Sequence, residues 1–248
     1  MTTVDDRGRL GNRFIRNLAV HFLAKKYNLK VNYCDKELIN RLGIELYSGT
    51  EEYANTLELT DNNYFDIYNC DNLNYNLNPN GLYPNGYFQT MEITNFLYNY
   101  LRRDEIMSNI IKMNPYKERY NNNNDIYIHV RLTDVEEKNP GITYYTNAIK
   151  NVTFDNIYIS SDDLNHNIIM KLKELYPCSQ LIELDEIFTI QLASTCKHII
   201  LSHGSFSAVI GYLSFYSNIY YPEHMWDKIW YGDMFSIKSD TWKQLSVK

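Results

Sequence analysis

The first strong periodicity lies in "NRFIRNLAVHFLAKKYNLKVNYCD", where Phe14, Leu18, Phe22 and Leu23 share one stripe at helical spacing and Arg13, Arg16, Lys25 and Lys26 fall elsewhere. The pattern predicts a helix that turns at Asn28 into a short strand over 29–34. Residues 48–90 lack clean periodicity and are rich in Asn, Asp, Gly and Pro, so they read mostly as loop, with a short strand around Phe65–Tyr68. Helical spacing resumes in "QTMEITNFLYNYLRRDEIMSNIIKM" through Ile93, Phe96, Leu97, Tyr100 and Leu101. "NPYKERYNNNND" then reads as a linker.

Beyond residue 125 the pattern becomes regular. Strands are predicted at 126–131, 157–160, 180–183, 198–202 and 218–221, with helices at about 144–150, 164–175, 187–195 and 206–216 between them. Strands alternating with helices imply a parallel sheet covered by helices. In such sheets ligands sit at the carboxyl ends of the strands. The polar residues worth naming fall there: Arg131, Thr133 and Asp134 after the first strand, Ser161, Asp162 and Asp163 after the second, and His203, Gly204 and Ser205 after the fourth.

Composition narrows the function classes. A chain of 248 residues with a formal net charge of −6 and no basic stripe is not built to track a phosphate backbone, so an anionic ligand must be held locally by one or two arginines and helix-start N–H groups. Cys34, Cys70, Cys178 and Cys196 form no C-x-x-C pair, which argues against a zinc site or a disulfide framework. The polar N-terminal "MTTVDDRGRL" does not read as a secretory signal and no stretch is apolar enough to span a membrane; a soluble, cytoplasmic protein is expected. The 23 tyrosines and the Asn-rich runs fit a coding bias as well as a binding surface.

Three stretches can carry chemistry. In "HVRLTD" (129–134), Arg131 ends a strand, where a planar guanidinium can meet two phosphate oxygens at once; the purely structural alternative is pairing with an acid such as Asp134 or Asp163. His129 points the same way as Arg131, two residues earlier, and reads as a hydrogen-bonded packing residue or a neighbour of the ligand. In "YISSDD" (158–163), a carboxylate can accept N–H donors of a guanine or a ribose hydroxyl, while one of Asp162 and Asp163 caps the helix beginning near Leu164. In "ILSHGSFSAVIGYL" (200–213), Gly204 and Ser205 precede a helix whose first N–H groups suit a diphosphate, unless Ser205 simply caps it. "RGRLGNRF" (7–14) is a further glycine-bearing turn, with Asn12 at or just before the helix start; it is not a dinucleotide fingerprint.

Taken in order, "GRLGN" (8–12), "GYFQ" (86–89), "HVRLTD" (129–134), "YYTNAI" (144–149), the strand ending in Ser161-Asp162-Asp163 and "CKHII" with "SFS" (196–207) resemble the α-1,2-fucosyltransferase family and its relatives that make α-1,6- and protein O-linked fucose. The resemblance implies an α/β, GT-B architecture of two Rossmann-like halves, here an acceptor-side half over 1–118 and a GDP-sugar-binding half over 119–248. It implies an inverting transfer of fucose from GDP-fucose to a glycan hydroxyl, with no metal or other cofactor. Arg131 would match the arginine that grips the β-phosphate. His129, Asp162, Asp163, Gly204, Ser205, Phe206 and Ser207 would line the donor, and Gly11, Asn12, Phe88 and Gln89 the acceptor side. Asn12 would lie near the reacting centre. Asp134, Asp5 and Asp6 are candidate bases.

The chain departs from that pattern in places. Leu132 stands where the family usually has a second arginine, which implies weaker donor binding or another donor sugar. Ala208 and Val209 replace two aromatic residues, and the polar start replaces an apolar first strand. The alternatives are therefore a GT-B enzyme for a different nucleotide sugar, or a non-catalytic nucleotide- or glycan-binding relative. Acceptor and oligomeric state are not legible.

Overall fold

Five consecutive buried residues, Ile126–Val130, form the strand β5 around which the second half of the chain is organised. A run apolar on both faces belongs in the middle of a parallel sheet. The computed structural model describes residues 1–81, 85–150, 152–223 and 233–247, and the chain divides into two units, Met1–Ile110 and Ile111–Lys248. That division falls ahead of the 118/119 boundary expected from the sequence.

The first unit contains β1 (Thr2–Thr3), α1 (Leu10–Tyr27), β2 (Val31–Asn32), α2 (Lys36–Arg41), β3 (Thr56–Glu58), α3 (Tyr64–Asn69), β4 (Asn76–Asn78), α4 (Met91–Leu101) and the start of α5 (Asp104–Met113). Its strands make parallel pairs, β1 with β2 and β3 with β4. The helix α1 is buried well beyond one stripe: Arg16, Asn17 and His21 lie inside together with Phe14, Leu18 and Phe22. Their polar groups are paired. His21 accepts the Tyr47 N–H through Nδ1 (2.9 Å) and meets the Tyr100 hydroxyl through Nε2 (3.1 Å).

Two expectations fail in this unit. Residues 65–68 are not a strand but part of α3, because Tyr64 and Ile67, three apart, are the pair that points inward. The stretch 48–90 also carries the parallel pair β3 and β4, whose residues are too polar to show strand alternation.

The second unit adds a 3-10 turn at Lys117–Arg119, then β5, a second 3-10 segment at Thr133–Lys138, α6 (Ile142–Lys150), β6 (Ile157–Ser161), α7 (Asn167–Leu175), β7 (Gln180–Leu181), α8 (Glu186–Ala193), β8 (His198–Ile200), α9 (Ser205–Leu213), β9 (Asn218–Pro222) and β10 (Trp242–Leu245). Its sheet has six strands in the order β10-β9-β8-β5-β6-β7, and every pair is parallel. The fold class expected from the sequence, α/β with a helix-covered parallel sheet in the C-terminal half, is the one the chain adopts. Counted within the unit the order is 6-5-4-1-2-3, the doubly wound arrangement whose direction of growth reverses between β5 and β8.

One face of the sheet, through Ile126, Ile128, Val130, Ile157, Ile159 and Ile200, packs on Tyr144, Tyr145, Ala148 and Ile149 of α6 and on Ile169 and Leu172 of α7. The opposite face of β5 presents Tyr127 and His129, as alternation requires.

The segment expected to be a linker is instead docked onto the second unit. Asn114 donates to the Gln191 carbonyl (2.9 Å), Arg119 pairs with Asp125 (2.6 Å) and Asn123 donates to the Thr195 carbonyl (2.9 Å). Its asparagines are ligands for chain ends, not spacers.

The strand β10 has no counterpart in the expected elements. It lies at the sheet edge, and its Trp242 covers Gly211 of α9 so closely that an added Cβ would sit 2.6 Å from the indole. Gly211→Ala should therefore cost about 1–3 kcal/mol by overpacking, read as a lower urea midpoint with unchanged m-value.

Candidate functional site

At the reversal between β5 and β8, both strands run in the same direction, so the loops after them lie at the same edge of the sheet. After β5 comes Arg131; after β8 come Ser202, His203 and Gly204, then α9. The two loops are joined from beneath. His129 of β5 hydrogen-bonds through Nδ1 to the Ser207 hydroxyl of α9 (2.6 Å), and its ring lies 5.1 Å from that of Phe206.

The start of α9 is open. Gly204 is its N-cap residue at φ 92° and no side chain caps it; Ser205, expected to cap, is already the first helical residue. A Cβ built on Gly204 meets nothing within 4 Å. The first N–H groups of a nine-residue helix with no acid in its first turn thus face an uncrowded space.

Arg131 is engaged on both sides. Its Nη1 meets Asp162 and its Nη2 meets Asp134. The partners differ in kind. Asp162 also accepts the Leu132 N–H (2.8 Å) and the Thr133 hydroxyl (2.6 Å), so it fixes the whole turn after β5. The side chain of Asp134 is 56% exposed against 20% for Asp162, and is the looser of the two. Of the acids named for Arg131 on sequence grounds, Asp134 is found beside it and the second partner is Asp162.

Neither Asp162 nor Asp163 caps the following helix, contrary to expectation. Asp163 closes a local turn by accepting the Asn165 N–H (2.9 Å), and α7 begins only at Asn167, capped by His166 through Nδ1 (3.2 Å). The cause is competition: the Arg131 turn draws Asp162 away from the helix.

Leu132 continues the alternation of Ile128 and Val130 and is fully buried among them, at 0% exposure. The position aligned with the family's second arginine therefore belongs to the core of this chain.

Several supporting residues carried no sequence signal. Asn139 donates to the Arg131 carbonyl (2.9 Å) and to the Tyr145 hydroxyl (3.1 Å); Tyr145 in turn reaches Ser202 (3.2 Å), which meets His203 Nδ1 (3.2 Å). This chain of bonds links the ends of β5 and β8 from within. Its members are polar residues in unremarkable positions, recognisable only once the strands are adjacent.

Burial lowers the pKa of His129 to about 4, against a smaller opposing pull from Asp162, and lowers that of His203 to about 4, helped by repulsion from His129 and Lys138. Both imidazoles are neutral at pH 7. They hold position by hydrogen bonding and supply no formal charge.

In the first unit, Asn12 lies in the first turns of α1 rather than before it, and its Oδ1 accepts from Gln89 Nε2 (2.8 Å). Gly11 and Phe88 are buried beside this pair in sequence, Phe88 at φ 57°. Two of the four residues assigned to the acceptor side are thus in direct contact. Asp5, a candidate base, is tied instead to the buried guanidinium of Arg16 (2.6 Å). Among the described residues no group of His, Cys, Asp and Glu could hold a metal ion, and no helix is long and apolar enough to cross a membrane.

No protein-family model matches the chain, and the comparison with curated proteins gives no match. Solved structures do resemble it. They include the fucosyltransferase NodZ from Bradyrhizobium (17% identity over 47% of this chain and 43% of that one, TM-score 0.31). A NodZ alpha-1,6-fucosyltransferase soaked with GDP-fucose aligns at 16% identity over 50% and 47%, TM-score 0.31. A mutant of Arabidopsis thaliana FUT1 in complex with GDP aligns at 14% over 89% and 69%, TM-score 0.46. The chain spans less than half the length of the two NodZ structures it matches.

Two measurements test this arrangement. Leu132→Arg should add no ligand contact and should lose more than about 3 kcal/mol of stability, because it buries an unpaired charge. For the histidines, the folded pKa of about 4 lies below the ordinary 6.5, so the unfolded chain takes up protons first as pH falls. Their contribution to stability is complete above about pH 6.5 and is lost progressively down to about pH 4. His129→Asn, measured by urea denaturation across that range, should flatten the slope.

Proposed function

We propose that this chain is a GT-B-type, inverting fucosyltransferase that moves fucose from GDP-fucose to a hydroxyl of a glycan acceptor without a metal cofactor, in the manner of the α-1,2 enzymes. The observation that carries the proposal is the meeting of one arginine and one uncapped helix start at the reversal point of a doubly wound sheet, where such sheets take nucleotide ligands. The nature of the sugar rests on the six motifs in register.

A diphosphate fits this edge by exchange. Asp134, more than half exposed, loses little on returning to water, so the phosphate takes its place on Arg131 Nη2, while Asp162 keeps the guanidinium and the turn in place. The N–H groups from Gly204 to Ser207 meet the remaining oxygens. Asp163, with one oxygen committed to the Asn165 N–H, has the other for guanine or ribose donors.

In the transfer the bond from the anomeric carbon to the diphosphate oxygen breaks, its electron pair leaving with GDP. A bond to the acceptor oxygen forms from the opposite face, and the hydroxyl proton passes to a base or to water. Negative charge grows on the diphosphate as the sugar becomes cationic, so Arg131 and the α9 amides stabilise the transition state more than the ground state. His129, neutral and bonded to Ser207, holds α9 against β5 during that change. Asp134, once released, is the acid of this unit closest to the leaving group's cation and the candidate proton acceptor.

A second reading keeps the scaffold and changes the donor. It is favoured by one observation, the burial of Leu132, which leaves Arg131 as the cation of the turn after β5. Titration calorimetry with GDP, UDP, ADP and dTDP separates the two, with GDP expected to bind most tightly. Arg131→Ala should weaken GDP binding by about 10–100-fold, the value of a charge-assisted contact, and abolish transfer from GDP-fucose to lactose, N-acetyllactosamine or chitotriose, while circular dichroism stays unchanged. Unchanged GDP affinity in that variant would sink the proposal.

A further inference from the structure

The segment 86–89 of the first unit is held by opposite charges from two elements. Arg16, fully buried in α1, donates from Nε to the Gly86 carbonyl (3.0 Å) and from Nη2 to the Asn80 side chain (2.7 Å) and the Pro79 carbonyl (3.4 Å). Asp61, which follows β3, takes the other polarity: Oδ2 accepts the Gly86 N–H (2.7 Å) and Oδ1 the Gln89 N–H (3.2 Å). Between those two amides sits Phe88, at φ 57° with its ring fully buried 5.8 Å from that of Tyr64. A bulky residue in the left-handed region costs on the order of 1 kcal/mol or more and persists only where its surroundings enforce it. Here the enforcing group is one carboxylate that spans it.

The clamp has a product. Gln89, the residue after the strained position, is aimed so that its amide pairs with that of Asn12 (2.8 Å). Whichever way the two amides are turned, one N–H and one carbonyl are used between them, and one carbonyl and one NH2 group are left over. A donor and an acceptor side by side are what a sugar hydroxyl, itself both donor and acceptor, requires.

We propose that Asp61 is a positioning residue for acceptor binding: by bridging the Gly86 and Gln89 amides across Phe88 it sets the Gln89–Asn12 amide pair in the geometry that receives an acceptor hydroxyl. The assignment of that hydroxyl to a glycan rests on the transfer reading above. Asp61 touches neither substrate nor reacting atoms and acts through Gln89. Burial raises its pKa even though several backbone N–H groups favour the carboxylate, as befits an acid placed for what it holds and not for solubility.

The experiment compares Asp61→Asn and Gln89→Leu with the unmodified chain. The first leaves one acceptor oxygen and turns an NH2 group on an amide; the second leaves the clamp intact and removes the pair. With the best acceptor among lactose, N-acetyllactosamine and chitotriose, both should raise the acceptor KM at least tenfold, with kcat changed less than threefold and GDP affinity within twofold. A role confined to folding would lower the melting point and reduce every parameter together. An unchanged acceptor KM in either folded variant overturns the proposal. Should Asp61→Asn fail to fold, Gln89→Leu decides. If the unmodified chain binds no GDP and transfers nothing, the transfer reading fails by itself, and hydrogen exchange judges the clamp. Faster exchange of the Gln89 amide in Asp61→Asn supports it, and an unchanged rate overturns it.

Discussion

The arrangement at the candidate site depends on a reversal in the sheet. After β5 the chain adds β6 and β7 on one side, then crosses back to place β8 on the other, so two loops leave neighbouring strands in opposite directions and open a crevice between them. Nothing in the backbone fixes how wide that crevice is. The His129–Ser207 hydrogen bond and the Asn139–Tyr145–Ser202 chain do so, by tying the loop after β5 and the helix after β8 to one another. Because His129 stays neutral, the tie holds at neutral pH without placing a positive charge beneath the edge.

Charge at that edge is more balanced than a phosphate site would suggest. Arg131 lies between two carboxylates, and a ligand must compete with them for the guanidinium. The competition is unequal because Asp162 holds the turn through the Leu132 amide and the Thr133 hydroxyl, whereas Asp134 rests at the surface. An arginine in this state is preorganised: its side-chain entropy is spent in folding, and exchanging one exposed carboxylate for a dianionic diphosphate favours the ligand with the greater charge. The fully buried Leu132 removes the option of reinforcing the site from the next residue.

How much of this was legible in the sequence depends on where each signal is stored. The strand β5 and the helices α6 and α9 were readable because continuous apolar runs and helical stripes are local consequences of burial on both faces or one. The strand β10, "WKQL", was not, since an edge strand half exposed to water has no need of alternation. The helix α3 misled because aromatic residues favour strands in general, while here Tyr64 packs its hydroxyl on the Ala19 carbonyl of α1, a tertiary contact that overrides propensity. In "SDD" the two acids looked equivalent. Their division of labour, one to the arginine turn and one to a local turn, is decided by a residue thirty positions away and so lay beyond any window of sequence.

The same limit explains why the acceptor-side clamp escaped notice while its products did not. Asn12 and Gln89 stood out through short motifs, but Asp61 sits in a polar run, "LTDNNY", that reads as loop. Loops of this composition usually bind water. In this one the carboxylate accepts backbone N–H groups from a segment twenty-five residues later, and Arg16 takes carbonyls from the same segment, so a stretch with no periodicity is held in a single strained conformation. Periodicity records which side chains are buried, whereas the conformation of an irregular segment is recorded in whatever satisfies its backbone. For segments such as 86–89, the informative question is where each N–H and carbonyl goes. There the answers converge on two buried charges of opposite sign, and a strained residue held between them presents the amide that comes after it.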